Sequence, residues 1–245
     1  MANARKTERI TERDLEVLEF VARFGMVSRE VVGLWAGTKR AVTAARERRL
    51  REAGLVEVWP GVGGSGRLVL CKRSGLKAVG RDELSTPRPS LATVHHSAVV
   101  ARVAAQLERS GQRVLSEREI QAGERAEAKR IYSAQRGEDG YHRPDLVLLG
   151  EPDDAIEVEL TNKAARRLDE LLRGWRRAVA RKQFGAVHYL CSPRALGYVE
   201  RALLGSMLKP GIAVEGLEPV DGLLCLSAES LQRLASREMP AIPAP

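Results

Sequence analysis

The chain of 245 residues has only three cysteines, shows no N-terminal apolar leader segment and contains no long uncharged apolar run. Cys71, Cys191 and Cys225 stand far apart, are odd in number and lack CxxC or Cys/His spacing, which argues against a disulfide framework or a zinc site. The expectation is three buried small hydrophobes in a reducing, cytoplasmic setting. With neither a signal-peptide core nor a membrane-length apolar segment, secretion and membrane spanning are not expected.

Charge, by contrast, is plentiful and unevenly placed. Forty Lys and Arg stand against 32 Asp and Glu, a net +8. Residues 1–82 alone hold 17 Lys and Arg and 10 Asp and Glu, so nearly all the excess lies in the first third. That concentration points to a polyanionic partner, nucleic acid foremost, with a solubilising surface as the alternative. The length exceeds the ~100 to 150 residues of a common single domain, so two domains are the default.

Residues 1–82 read as one module. TERDLEVLEFVARFG opens on Thr11 with an acidic residue three positions on, carries Leu15, Leu18, Val21 and Ala22 at helical spacing, and ends at Gly25. Ser28 then caps REVVGLWAG, which stops at Gly37, and Thr38 caps KRAVTAARERRLREAG, which stops at Gly54. In this third helix Val42, Ala45 and Leu50 are expected to face inward, leaving Lys39, Arg40, Thr43, Arg46, Arg48 and Arg49 for solvent or a ligand. A basic helix after a short helix and a tight turn is the helix-turn-helix arrangement. LVEVWP and RLVLCKRS around the glycine-rich GVGGSG predict a β-hairpin wing whose Arg67, Lys72 and Arg73 reach phosphates. The phrase RRLREAGLVEV makes residues 8–80 resemble bacterial winged-helix regulators. That resemblance places Lys39, Arg40, Thr43 and Ala44 in the major groove and sets Arg46, Arg49 and the wing on the backbone. A three-helix protein-binding domain with a solvated basic face is the alternative.

RDELSTPRPSLAT, with two prolines among small polar residues, marks a linker taken as 83–93. A second domain over 94–208 and an extension over 209–245 follow. VHHSAVVARVAAQLERSG predicts a helix with Val94, Ala98, Val99, Val103 and Leu107 on one face, RVLSEREI a short strand, and 121–141 a long mobile loop. RPDLVLLG and AIEVELT read as neighbouring strands joined by GEPDD. NKAARRLDELLRGWRRAVARK reads as an amphipathic helix burying Leu168, Leu171, Leu172, Trp175 and Val179, before a further strand (FGAVHYLCS) and helix (PRALGYVERALLGSML). Local hairpins together with an α crossover require a mixed sheet, so the fold class is α+β in two domains. Beyond Lys209 a strand pair, a short helix and a frayed AIPAP tail are expected. Trp35, Trp59 and Trp175 are assigned to cores.

Alternation along AIEVELT sends Glu157 and Glu159 to one face and Ile156, Val158 and Leu160 to the other. Asp145 stands on the preceding strand, close to this pair. Carboxylates converging at strand ends form a hard-oxygen site for Mg2+ or Mn2+, which would activate water and stabilise a departing phosphate oxygen. Lys163, just beyond, would neutralise phosphoryl charge. The alternative is a water-facing strand edge or a packing remnant, although like charges on one strand are unfavourable without a nearby cation. His95, His96 and His142 read as capping or polar-face histidines, with a place near the cleft as the alternative. Lys163, Arg166, Arg167, Arg173, Arg176 and Arg177 read as a solvated face, with a second DNA-contacting surface as the alternative.

Pro144-Asp145 followed by Glu157-Val158-Glu159 resembles the PD-(D/E)xK nuclease superfamily, over roughly residues 94–205. The resemblance implies a restriction-endonuclease-like core, with Asp145 and Glu157 as metal ligands and Glu119 as an accessory acidic residue. Asp145, Glu157, Glu159 and Lys163 form the implied catalytic set. One position departs: Glu159 stands where the family's lysine usually does, and Lys163 is the candidate replacement from the following helix start. HHSAVVARV, LSEREI, HRPDLVLL and AIEVELTNKAARRLDELLRGWRRA together resemble the plasmid replication-relaxation family, which joins a winged helix to a PD-(D/E)xK-like domain. Two functions follow. One is a Mg2+-dependent endonuclease or nickase directed by the winged helix. The other is a transcription or copy-number regulator whose nuclease-like domain serves dimerisation or sensing. Double-stranded DNA is the partner in both, a second copy of the chain is a further candidate, and no membrane is involved.

Overall fold

The computed structural model describes residues 9–61, 66–88, 90–136, 140–205, 211–220 and 223–237. The tip of the expected wing (62–65) and the AIPAP tail lie outside the described residues. The chain is α+β and divides into two compact units, Met1–Ala105 and Gln106–Pro245.

The first unit runs α1 (Glu12–Phe24), β1 (Met26–Ser28), α2 (Arg29–Ala36), α3 (Arg40–Glu52), β2 (Val56–Trp59), β3 (Leu68–Cys71) and α4 (Arg73–Ala78). Thr11 and Asp14 form a reciprocal capping box that starts α1, and Gly25 ends it at φ 75°. Ser28 accepts from the Val31 N–H to start α2, and Gly37 ends it in the left-handed region. The strands form an antiparallel sheet of order β1-β3-β2. β1 is three residues long, too short to show an alternation in sequence. Met26, Leu68, Leu70 and Val94 pack together, and Phe20 stacks on Trp35 with ring centroids 4.8 Å apart.

Here several expectations are corrected. The N-cap of α3 is Lys39, with no side-chain cap bond; the Thr38 hydroxyl instead meets that of Thr43 at 2.9 Å. The inward row is Thr43, Glu47 and Leu50, whereas Val42 is 44 % exposed. α3 has so few apolar side chains that buried polar contacts, described below, set its rotation. β3 stops at Cys71, so Lys72 and Arg73 begin α4 rather than extend a hairpin. Trp59 is 38 % exposed and donates to Glu57, outside any core.

α5 (Leu91–Arg109) contains the division between the units, so the stretch read as a linker ends inside a helical first turn. The second unit continues with β4 (Val114–Ser116), α6 (Glu117–Ala126), β5 (Ala134–Arg136), β6 (Gly140–His142), β7 (Leu146–Leu148) and β8 (Asp154–Glu159). It closes with α7 (Ala165–Ala180), β9 (Val187–Cys191), α8 (Pro193–Gly205), β10 (Ile212–Val220), β11 (Leu223–Leu226) and α9 (Ala228–Ser236). Six strands form a mixed sheet of order β11-β10-β9-β8-β7-β4, with β8, β9 and β10 parallel and antiparallel neighbours at both ends. The C-terminal strands therefore extend the central sheet. Residues 117–126, expected as strand and loop, are helical because Ser116 and Glu119 form a second capping box. The β5–β6 hairpin occupies more of the expected loop.

β8 lies between β7 and β9 and is buried on both faces. Leu168, Leu172 and Trp175 of α7 pack with Ala155, Val187 and Tyr189 on one of them. Leu146, Leu148, Ile156, Val158 and Leu190 are buried on the other. β5 lies directly on α7 at Gly174, where a Cβ would stand 2.5 Å from the Gln135 carbonyl oxygen.

Candidate functional site

Leu146 pairs with Ile156 across the β7–β8 ladder, so one residue further Asp145 faces Glu157. On the other side Glu157 lies beside Tyr189, and Glu159 beside Cys191. The acidic residues are thus brought together, but the face they share is not open. Glu157 is 2 % exposed and Glu159 4 %. A water-facing strand edge is excluded.

Each carboxylate has a partner from the chain itself. His142 Nε2 lies 3.0 Å from both Glu157 oxygens. Lys163, on the turn before α7, is ion-paired with Glu159. The Val158 N–H donates to Asp145 at 2.7 Å. Two contacts hold these partners in place: His142 meets Trp175 edge-on at 5.8 Å, and the Tyr198 hydroxyl donates to the Lys163 carbonyl at 2.8 Å. His142 is the partly buried hydrogen-bond partner of Glu157.

Burial raises the Glu157 carboxyl above its ordinary range, and His142 offsets only part of that rise. On His142 itself burial works against the proton, but the charge and hydrogen bond of Glu157 outweigh it, so its pKa is raised. Burial next to Glu157 and Glu159 holds the Tyr189 phenol well above its usual value, and burial with Glu159 pushes the Cys191 thiol to about 12. Removing one member of such a buried pair leaves the other uncompensated, which costs roughly 3 to 5 kcal/mol.

Asp145 and Glu157 are donors of the type that Mg2+ or Mn2+ prefers. To take both, an ion would have to displace His142 from the two Glu157 oxygens it touches. Among the described residues no group of three His, Cys, Asp or Glu side chains is placed to hold a metal ion. Glu119, implied as an accessory ligand, accepts from the Ser116 N–H at 2.9 Å and from its hydroxyl at 3.0 Å. As arranged, the residues do not fit a resident ion. The places an ion would take beside Glu157 and Glu159 are held by His142 and Lys163.

The predicted DNA contacts divide into two groups. Lys39 and Arg40 are exposed at the start of α3, next to exposed Ala41 and Val42. Arg48, Arg51, Arg67 and Lys72 are also exposed. Thr43, by contrast, is 1 % exposed and donates to the Lys39 carbonyl. Arg46 and Arg49 reach back to the fully buried Asp14: Arg49 Nε and Nη2 stand 3.0 and 2.8 Å from its oxygens, and Arg46 Nη1 3.2 Å. Burial alone would raise the Asp14 carboxyl, but hydrogen bonds from Arg49 and Thr11 prevail and bring it down to about 2. Arg29 makes a two-pronged bond to the buried Glu47 at 2.6 and 2.7 Å. Arg73 donates to the carbonyls of Asp82 and Leu84 at 2.9 and 3.2 Å.

The sequence reading overlooked Glu124, which lay in the expected loop. It is buried and accepts from the Ser133 hydroxyl at 2.6 Å, the Tyr132 N–H at 3.3 Å and Arg143 Nε at 2.8 Å. The Ser116-to-Glu119 spacing was the signal for the helix that carries it. On α7, Arg166 pairs with Glu170 and Arg173 with Asp169 at i,i+4, as on a solvated helix face. All three cysteines are buried and stand outside any disulfide. Among the described residues no helix is long and apolar enough to cross a membrane. No protein-family model matches the chain, and a search of curated proteins gives no significant match.

Proposed function

We propose that the chain is a double-stranded-DNA-binding regulator of a plasmid or other mobile element, built from a winged helix-turn-helix and a PD-(D/E)xK-like domain that does not cleave. The observation that carries it is α3: a basic helix that follows α2 through a tight turn, presents Lys39 and Arg40 at its first turn, and precedes an antiparallel strand pair. In this reading the start of α3 enters the major groove. Lys39 and Arg40 contact base edges or phosphates, Ala41 and Val42 offer methyl groups to thymine, and Arg67 holds the backbone. The resemblance to the plasmid replication-relaxation family spans both halves and supplies the mobile-element context.

The choice of regulator over nickase rests on the pairing of Glu157 with His142 and of Glu159 with Lys163. The alternative keeps the same DNA reader and adds Mg2+-dependent cleavage at Asp145 and Glu157.

Binding to fluorescein-labelled duplexes should weaken as salt rises, log K falling by ~0.9 per log unit of salt for each phosphate contact. Arg40→Ala and Lys39→Ala should each weaken it with the fold intact; unchanged affinity in both would remove the docking model. Supercoiled plasmid incubated with Mg2+ or Mn2+ should stay supercoiled. Nicking that is lost in Asp145→Ala and Glu157→Ala would establish the nuclease alternative instead.

A further inference from the structure

The second unit contains a cleft of about 350 Å3 between the β5–β6 hairpin and the C-terminal half of α7, lined by none of Asp145, Glu157 and Glu159. That volume suits a small organic ligand. Four cations line it, Lys129, Arg130, Arg177 and Arg181, and no carboxylate does among the described residues. Arg177, in the last turn of α7, and Arg181, its C-cap, are four residues apart, where like charges repel unless an anion lies between them. The dipole at a helix C-terminus favours a cation there, but it accounts for neither Lys129 nor Arg130, which come from the segment before β5.

The walls of the cleft are built, not accidental. Arg177 donates to the Gln135 carbonyl at 3.0 Å, and Gln183 donates to the Ile131 and Ser133 carbonyls at 2.7 and 3.2 Å. Gly174 lets the hairpin lie close enough to the helix to form the floor. The Arg130 guanidinium sits over the half-exposed Tyr141 ring at 4.1 Å from its centroid, giving a flat cationic wall. Among the described residues Glu124 bonds to the lining Ser133, and it is paired with Arg143.

We propose that this cleft binds a small ligand that joins two or more phosphate groups to a flat ring, the chemistry of a nucleoside polyphosphate. Lys129, Arg177 and Arg181 take the phosphates, and the Arg130–Tyr141 wall stacks on the ring. The inference does not depend on the DNA-binding reading and stands or falls separately from it.

Isothermal titration of the full chain with ATP and with inorganic pyrophosphate tests it. Saturable binding of both is expected. Arg181→Glu and Lys129→Glu should each weaken both by about tenfold or more, since each removes a charge-assisted contact. Tyr141→Ala should weaken ATP by about fivefold and leave pyrophosphate unchanged. Arg173→Glu, on the same helix but paired with Asp169 outside the cleft, should change neither. Circular dichroism spectra matching wild type establish that each variant is folded. Absence of saturable ATP binding overturns the proposal, as does equal weakening by Arg173→Glu, which would mean diffuse charge. Tight binding of a single-stranded oligonucleotide that needs Arg181 and Lys129, with none of ATP, would give the cleft to a nucleic-acid strand and overturn the small-ligand assignment.

Discussion

Asp14 shows how one buried charge organises its surroundings. Held at about 2, below the ~3.9 of an unfolded aspartate, its carboxyl stabilises the fold fully above the unfolded value. That contribution, on the order of 2 kcal/mol, is lost as pH falls from about 4 through 2. Urea titrations at pH 6 and pH 3 should show this loss in the wild type, and Asp14→Asn should be weaker at pH 6 but flatter between the two. The His142–Glu157 pair works in the opposite direction. A histidine raised above 6.5 stabilises below its unfolded value, and the contribution is lost as pH rises through the folded one. In Glu157→Gln only burial remains as the leading influence, so the His142 pKa should drop below that of wild type in an NMR titration. An unchanged value would sink the pairing. The sequence displayed the carboxylates Asp145, Glu157 and Glu159 clearly, because strand alternation and spacing are local. It did not display the partner of Glu157, since His142 belongs to β6 in the small sheet and Glu157 to β8 in the central one, and only the tertiary fold brings the two together.

At the level of elements, the helices that begin with Thr11 and Ser28 were legible because a capping side chain and a closing glycine write both ends into adjacent residues. α6 carried the same kind of signal at Ser116 and Glu119, but its polar surroundings outweighed it. α3 could not be phased from apolar residues, because its inward contacts are Thr43 and Glu47. Two glycines separate the intrinsic helix cost from packing. At Gly123 in α6 a Cβ meets nothing within 4 Å, so Gly123→Ala should stabilise by roughly 0.5 to 1 kcal/mol in urea denaturation. At Gly174 the Gln135 carbonyl stands in the way, so Gly174→Ala should destabilise by about 1 to 3 kcal/mol despite the same helix preference.

For the whole molecule, the α+β class and the mixed sheet followed from the succession of hairpins and an α crossover, whereas the membership of β10 and β11 did not. β10 is separated from its partner β9 by a whole helix, β11 in turn pairs with β10, and the sequence pattern alone does not say which edge a later strand joins. Truncation after residue 208 should therefore fail to give a soluble, cooperatively unfolding protein, because it strips the parallel partner from β9 and bares a long apolar edge. A soluble truncated chain with a sharp urea transition would show that the last strands are dispensable. The clamp of Arg46 and Arg49 on Asp14 carries a consequence for how such a protein diversifies. Anchoring and presentation on α3 belong to different residues, so Lys39, Arg40, Ala41, Val42 and Arg48 form a replaceable alphabet on a fixed spindle. Under the proposed DNA-binding function, relatives with altered DNA preference should vary at those positions while the aspartate and its two arginines change only as a set.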